Sequence, residues 1–310
     1  MIVYTVIVTY NGLKNDWIKK SLQSLSVSTQ KSNIVIVDNN SSDGTVQHIV
    51  NNFPEVFIIQ NIKNKGFGKA NNQGISHALN HNADYVFLLN QDAYVLKDTL
   101  TKLVAVAELN KDFGIISPIH LDGAAANVEN DFLNFASPPN TKNLANDAFL
   151  NKVENKLYQT NFVNAAAWLV SKNCFRILGG FSPTFYHYGE DNNFCHRAQF
   201  HTVSIGIYPH AFVLHDRDQM SAEHADLSER MFRDKLVEWA NPNKKEVIKF
   251  ATLRLFINYL LYKYLLQNTS VANASIKLFK YKIYQFSSLQ SVVQISKNTD
   301  DYKFLNYKYL

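Results

Sequence analysis

Apolar residues in this chain come in short runs that stop abruptly, separated by polar stretches of helical length. Residues 2–9 form a β-branched apolar run and predict a buried strand. Next, "DWIKKSLQSLSVS" places Trp17, Ile18, Ser21, Leu22 and Leu25 near helical spacing. A second strand is expected at 33–38, then the turn "NNSSDG" and a helix at 45–53. A third strand at 55–61 leads through a glycine-containing turn into a helix ending near residue 79. "DYVFLLNQD" predicts a fourth strand, 97–110 a helix and 114–118 a fifth strand.

This βαβα alternation implies an α/β fold, with a mostly parallel central sheet, helices on both faces and right-handed crossovers. Open sheets of this kind bind ligands beyond the carboxyl ends of their strands. Thr9, Asp38 and Asp92 all end apolar runs, so neighbouring strands would bring them to one edge. Residues 120–160 lack periodicity and are rich in Asn, Ala and Pro, which predicts a long excursion. Order returns at 161–171, followed by a helix "KNCFRIL" stopped by Gly179-Gly180. Two further strands are expected at 202–209 and 211–216. From 221 the pattern is helical and rich in Tyr and Lys. The chain therefore divides into an α/β domain, 1–220, and a helical C-terminal region, 221–310.

Composition sharpens this picture in two places. An apolar fraction of 46% over 310 residues supports a sizeable core and argues against disorder. Two cysteines, Cys174 and Cys195, cannot build a disulfide framework and fit a reducing compartment. The N-terminus enters the first strand with no basic leader, and no apolar run is long enough to span a bilayer. The net charge of +5 is unevenly placed: residues 244–310 hold eleven Lys or Arg against three acids, and the remainder is slightly acidic. Such a tail suits an anionic surface.

Six segments in order, "VIVTYNG", "IVIVDNNSSDGT", "NKGFGKANNQGI", "FLLNQDA", "GGFSPTFYHYGEDNNFCHRA" and "VLHD", resemble the family 2 glycosyltransferases, which have the GT-A fold. The resemblance runs from about residue 2 to 216. The "DNNSSDGT" and "GFGKANN" forms are most similar to the rhamnosyltransferase-like branch, which works in bacterial surface polysaccharide synthesis. It implies an inverting transferase taking a nucleotide-sugar donor, dTDP-rhamnose or a UDP-sugar, and a saccharide or lipid-linked acceptor, with no nucleic-acid partner.

The same resemblance implies residue roles. Asp38 or Asn39 would hold the nucleotide base, where many members carry two acids. Thr9, Asn11, Gly66, Asn71, Asn90 and Gln91 would contribute to the nucleotide site. Residue type alone equally allows Thr9 and Asp38 to be turn formers. Family members usually present Asp-x-Asp where this chain has Asn90-Gln91-Asp92, so Asp92 is the carboxylate expected at a metal, Mn²⁺ or Mg²⁺. His215 is expected as its second ligand, with Asp216 and Asp218 as nearby alternatives. Asp191 is expected as the general base and Glu190 as an acceptor contact; both also suit the start of a helix. Trp168 is either an acceptor-stacking residue or core.

For the tail, "EVIKFATLRLFINYLLYKYLL" suggests a basic amphipathic helix. Its expected partner is an anionic membrane at the cytoplasmic face; packing on the catalytic domain or a homodimer contact is the alternative. Two rival functions remain at this stage: a sugar-phosphate nucleotidyltransferase, for which "VTYNGLKND" is a poor phosphate loop, and a non-catalytic nucleotide- or glycan-binding protein.

Overall fold

The computed structural model describes residues 1–217, 226–244, 251–299 and 302–306. Its first half alternates as the periodicity predicts. The elements are β1 (Val3–Thr9), α1 (Trp17–Ser26), β2 (Asn33–Asp38), α2 (Thr45–Asn52), β3 (Phe57–Gln60), α3 (Phe67–Asn80), β4 (Tyr85–Asn90), β5 (Ala93–Val95), α4 (Thr99–Leu109) and β6 (Phe113–Asp122). The central strands are apolar on both faces because both faces are covered. Successive side chains point to opposite sides of a strand. Tyr4, Val6, Val35, Val86 and Leu88 thus enter one core, and Val3, Ile7, Ile36, Phe87 and Leu89 enter the other. Ile18 and Leu22 of α1 close the second core, and Ile75 and Leu79 of α3 close the first.

Residues 120–160 hold more structure than their composition suggests. β6 continues to Asp122, and two short helices follow, α5 (Asn130–Ala136) and α6 (Leu144–Phe149). Phe132, Ala136 and Leu144 anchor them in the first core. The chain continues with β7 (Tyr158–Gln159), β8 (Ala167–Ser171), α7 (Lys172–Leu178), α8 (Glu190–Phe200) and β9 (Ser204–His215). The two strands expected at 202–216 are this single β9. Its ladder with β6 jumps from Pro118 opposite Tyr208 to Ile119 opposite Phe212. Pro209 has no N–H to donate at that point, so the strand bulges and then resumes pairing.

The sheet order is β3-β2-β1-β4-β8-β6-β9-β5, with β7 beside β9. Pairings among β3, β2, β1 and β4 are parallel. Beyond β4 the sheet is mixed: β8 runs antiparallel to β4 and β6, whereas β6 and β9 are parallel.

The C-terminal region is helical, as its pattern predicts: α9 (Leu227–Trp239), α10 (Ala251–Leu260), a π-helical turn at Leu261–Leu265, α11 (Thr269–Tyr284) and α12 (Phe286–Lys297). Leu236, Trp239, Leu278 and Leu289 build a third core, which also takes in Phe185 from the α/β part. Asn193 Nδ2, in α8, donates to the Ala240 carbonyl at 3.0 Å. Farther along, the Gly180 N–H donates to the carbonyl of Lys303. The helical region is thus fastened to the segment around α8. Among the described residues, no helix is long and apolar enough to cross a membrane.

Candidate active site

Strand register sets the site. Thr9 lies opposite Asp38 and Val8 opposite Asn90, so the ends of β2, β1 and β4 are adjacent. After β4 the chain turns through Gln91 and Asp92 into β5, which pairs antiparallel with β9 so that Ala93 faces His215. Asp92 and His215, 123 positions apart in the sequence, become neighbours through that register. α8 brings its first turn to the same cavity. Tyr188 (φ 64°) and Gly189 (φ 94°) both take left-handed backbone, a sharp approach that sets Glu190 and Asp191 in the first turn of the helix. Gly66 closes the floor. A Cβ there would sit 2.0 Å from the Tyr186 carbonyl oxygen, which accepts a hydrogen bond from the Phe67 N–H.

These elements enclose a cavity of about 510 Å³. Asn39, Gly66, Asn90, Gln91, Asp92, Glu190, Asp191 and His215 line it, so eight of the residues expected from sequence meet in one place. Five others do not line it. Thr9 is fully buried and its hydroxyl donates to Gln91 Oε1 at 2.7 Å. Asn11 Oδ1 accepts from the Ser42 N–H, and Asn71 Nδ2 donates to the Phe67 carbonyl within its own helix. Asp38 Oδ2 accepts from the N–H groups of Asn40 and Ser41. Trp168 is corrected outright. It is fully buried among Phe181 and Phe194, with ring centroids 6.3 and 5.8 Å away, and offers no face to a sugar. An apolar residue in the middle of a strand covered on both sides has nowhere else to go.

Asp92 Oδ1 stands 3.6 Å from His215 Nε2. That is too long for a hydrogen bond. Two ligands each about 2.1 Å from a common ion stand roughly 3.0–3.6 Å apart, so the pair fits a divalent cation. On the far side of the ring, His215 Nδ1 is 3.1 Å from Glu129 Oε2. A carboxylate behind a ligating imidazole fixes ring orientation and raises ligand basicity. Burial disfavours a charged ring, but Asp92 and Glu129 outweigh it and push the His215 pKa up to about 9. Burial would raise Glu129; the two histidines facing it, His120 and His215, hold it well below the usual carboxylate range instead. His120, Glu129 and His215 also form a cluster with metal-ligand atoms. Neither His120 nor Glu129 lines the cavity, so an ion held among the three would sit behind the site. The alternatives fare differently: Asp216 is engaged by Tyr94 Oη at 3.0 Å and Lys20 at 3.4 Å, and Asp218 lies outside the described residues.

In the first turn of α8, burial pushes the Glu190 carboxyl up to about 8, aided by the charge of Asp191. Burial also raises Asp191, against hydrogen bonds from backbone N–H groups, including that of Asn192 at 2.8 Å. Burial thus raises both adjacent carboxyls, and the Asn192 N–H in contact with Asp191 favours the ionised form of that one.

Three acceptors on the cavity wall, Asn90 Oδ1, Asn164 Oδ1 and Glu190 Oε2, are buried without a hydrogen-bond partner, as is Asp38 Oδ1 just behind it. An unmet buried acceptor costs about 1–3 kcal/mol. Three such atoms on one cavity wall suit a polar, hydrogen-bonding ligand. Sequence reasoning missed Asn164, Glu129, Tyr188 and Arg217. Arg217 lines the cavity and ion-pairs with Asp131 and, at 3.5 Å, with Glu129 Oε1. Glu129 sits in the aperiodic excursion, where no spacing or motif announces it.

Residues 4–157 match the family described as Glycosyl transferase family 2. Two curated relatives are each 24% identical. The low-salt glycan biosynthesis hexosyltransferase Agl10 of Haloferax volcanii matches over 72% of this chain and 73% of its own length. The dTDP-rhamnosyl transferase RfbF of Shigella flexneri matches over 69% and 68%. Among solved structures, the mannosyltransferase PcManGT of Pyrobaculum calidifontis, in complex with GDP-Man and Mn²⁺, superposes with a TM-score of 0.56 at 16% identity, covering 95% of this chain and 85% of that one. The shared architecture is the GT-A fold.

Proposed function

Since the chain belongs to glycosyl transferase family 2 through residues 4–157, we propose that it is a metal-dependent, inverting transferase. It moves a sugar from a pyrimidine nucleotide donor, dTDP-rhamnose or a UDP-sugar, to a saccharide or lipid-linked acceptor. The carrying observation is that Asp92 and His215, spaced to bracket a cation, share one cavity with the Glu190–Asp191 pair.

Each step is assigned to a residue. Asp38 Oδ1 accepts from the imide N–H of uracil or thymine, and the Asn90 amide bonds the ribose. Gly66 lets backbone approach the donor closely. Asp92 and His215 Nε2 would hold Mn²⁺ or Mg²⁺, which would supply positive charge against the departing diphosphate. Only one carboxylate belongs to this ligand pair, so a metal would bind more weakly here without the donor than at a site with two acids. Arg217 supplies a second positive charge at the same wall. In the same cavity, Asp191 takes the proton from the acceptor hydroxyl as that oxygen attacks the anomeric carbon. Glu190, keeping its own proton, orients the acceptor. A single displacement needs one base and inverts the centre, and no further carboxylate is required. The pyrimidine and rhamnosyl preference draws support from the RfbF relative.

Nucleotide release over a panel of dTDP-, UDP- and GDP-sugars, with Mn²⁺, Mg²⁺ or EDTA, tests this reading. Release is expected with a pyrimidine donor and a metal. Equal release in EDTA would remove the metal role.

A further inference from the structure

Past the catalytic part, the chain leaves an apolar stripe uncovered. Leu253, Phe256, Ile257, Leu260, Leu261 and Tyr264 recur at intervals of three and four residues along α10 and the π-helical turn. All six are 37–68% exposed; Phe256, at the edge of the stripe, also meets the Phe279 ring of α11 at 5.2 Å between centroids. The inner side of the same helix, including Leu255, packs toward the third core. The helix is therefore seated by one side and presents a second apolar side outward. Contiguous exposed apolar surface of this kind marks an interaction site.

The charges identify its occupant. Between residues 247 and 299 the sequence holds seven Lys or Arg and no Asp or Glu. At about 100° per residue, Arg254 falls at one margin of the stripe and Lys263 at the other. Lys263 Nζ lies 2.7 Å from the Tyr259 hydroxyl and 5.1 Å from the centroid of the Tyr264 ring, so tyrosines and cations mix along that margin. Two copies meeting through this face would set cation against cation with no carboxylate to answer. An anionic lipid surface answers both features: headgroups take the flanking cations, and the apolar side chains enter the acyl boundary.

We propose that α10 and the π-helical turn form an interfacial anchor that lies in the plane of an anionic membrane. α10 packs on α11, α11 on α9, and α9 on α8, the helix that carries Glu190 and Asp191. Docking at α10 therefore tethers the acceptor side of the cavity to the membrane through a short stack of helices. The inference holds whatever sugar the site transfers.

The test is co-sedimentation of the full chain with phosphatidylcholine vesicles, with and without phosphatidylglycerol. Wild type is expected to bind the anionic vesicles and to be released as salt is raised. The exposed double variant Ile257→Glu/Leu260→Glu should lose at least about tenfold in partitioning. Arg254→Glu/Lys263→Glu should weaken binding by roughly fivefold or more per reversed charge. Both variants should keep the wild-type circular dichroism and melting temperature, because these side chains are exposed. No binding by wild type, or equal binding by Ile257→Glu/Leu260→Glu, would overturn the proposal. So would light scattering that shows a dimer split by Ile257→Glu/Leu260→Glu, which would assign the stripe to a second copy of the chain.

Discussion

His215 is held from both ends of its ring, by Asp92 at 3.6 Å and Glu129 at 3.1 Å. With its pKa pushed up to about 9, the ring is protonated at neutral pH, and a cation must displace the Nε2 proton to bind. Mn²⁺ affinity, followed by the electron paramagnetic resonance signal of the free ion, should therefore climb as pH rises toward 9. A flat profile would contradict the assignment. Glu129→Ala should weaken Mn²⁺ binding by about 10–100-fold, and Glu129→Gln should restore part of it by still accepting from Nδ1. The raised pKa of Glu190 has a sign. A carboxyl that holds its proton in the folded state stabilises the fold below its ordinary range near 4.5, and that contribution is lost as pH rises through about 8. The melting temperature should fall over this window, and Glu190→Gln should flatten the fall. Asp191→Asn should cut transfer by about 10²–10⁴ while donor affinity in titration calorimetry is kept.

Among the elements, the turn into α3 depends most on one residue. Gly66→Ala would drive a Cβ onto the Tyr186 carbonyl at a φ of +81°. Stability in urea should drop by about 1–3 kcal/mol, with weaker donor binding as the 184–188 loop is displaced. Much of this level was legible beforehand. Strands 33–38 and 85–90 are continuous apolar runs because both sheet faces are covered, and the positions of Asp38 and Asp92 at their ends followed from that. Trp168 was ambiguous because an apolar strand residue and a sugar-stacking ring look alike in sequence, and only full burial separates them. β9 was split in two because Pro209 and His210 interrupt the apolar pattern, while the ladder merely bulges there. Glu129 was invisible, since its role depends on the excursion folding back on His215 rather than on any local period.

At the scale of the whole molecule, α8 puts Phe194, Cys195 and Ala198 into the first core and packs against the tail helices α9 and α12, with Glu190 and Asp191 in its first turn. The tail's charge imbalance was plain in the sequence, but its uncovered apolar stripe required the packing of α10 on α11. The same convergence makes the site: residues from β4, β9 and α8 face one cavity of about 510 Å³. The claim on which the rest stands is that Asp92 and His215 hold a cation against the diphosphate of the donor. Electron–nuclear double resonance of Mn²⁺ bound with dTDP or UDP reads this through the hyperfine coupling to ³¹P. The expected result is a ³¹P coupling in wild type and in Asp191→Asn that disappears in Asp92→Ala and His215→Ala. A coupling that survives both ligand substitutions, or none in wild type, would contradict the account.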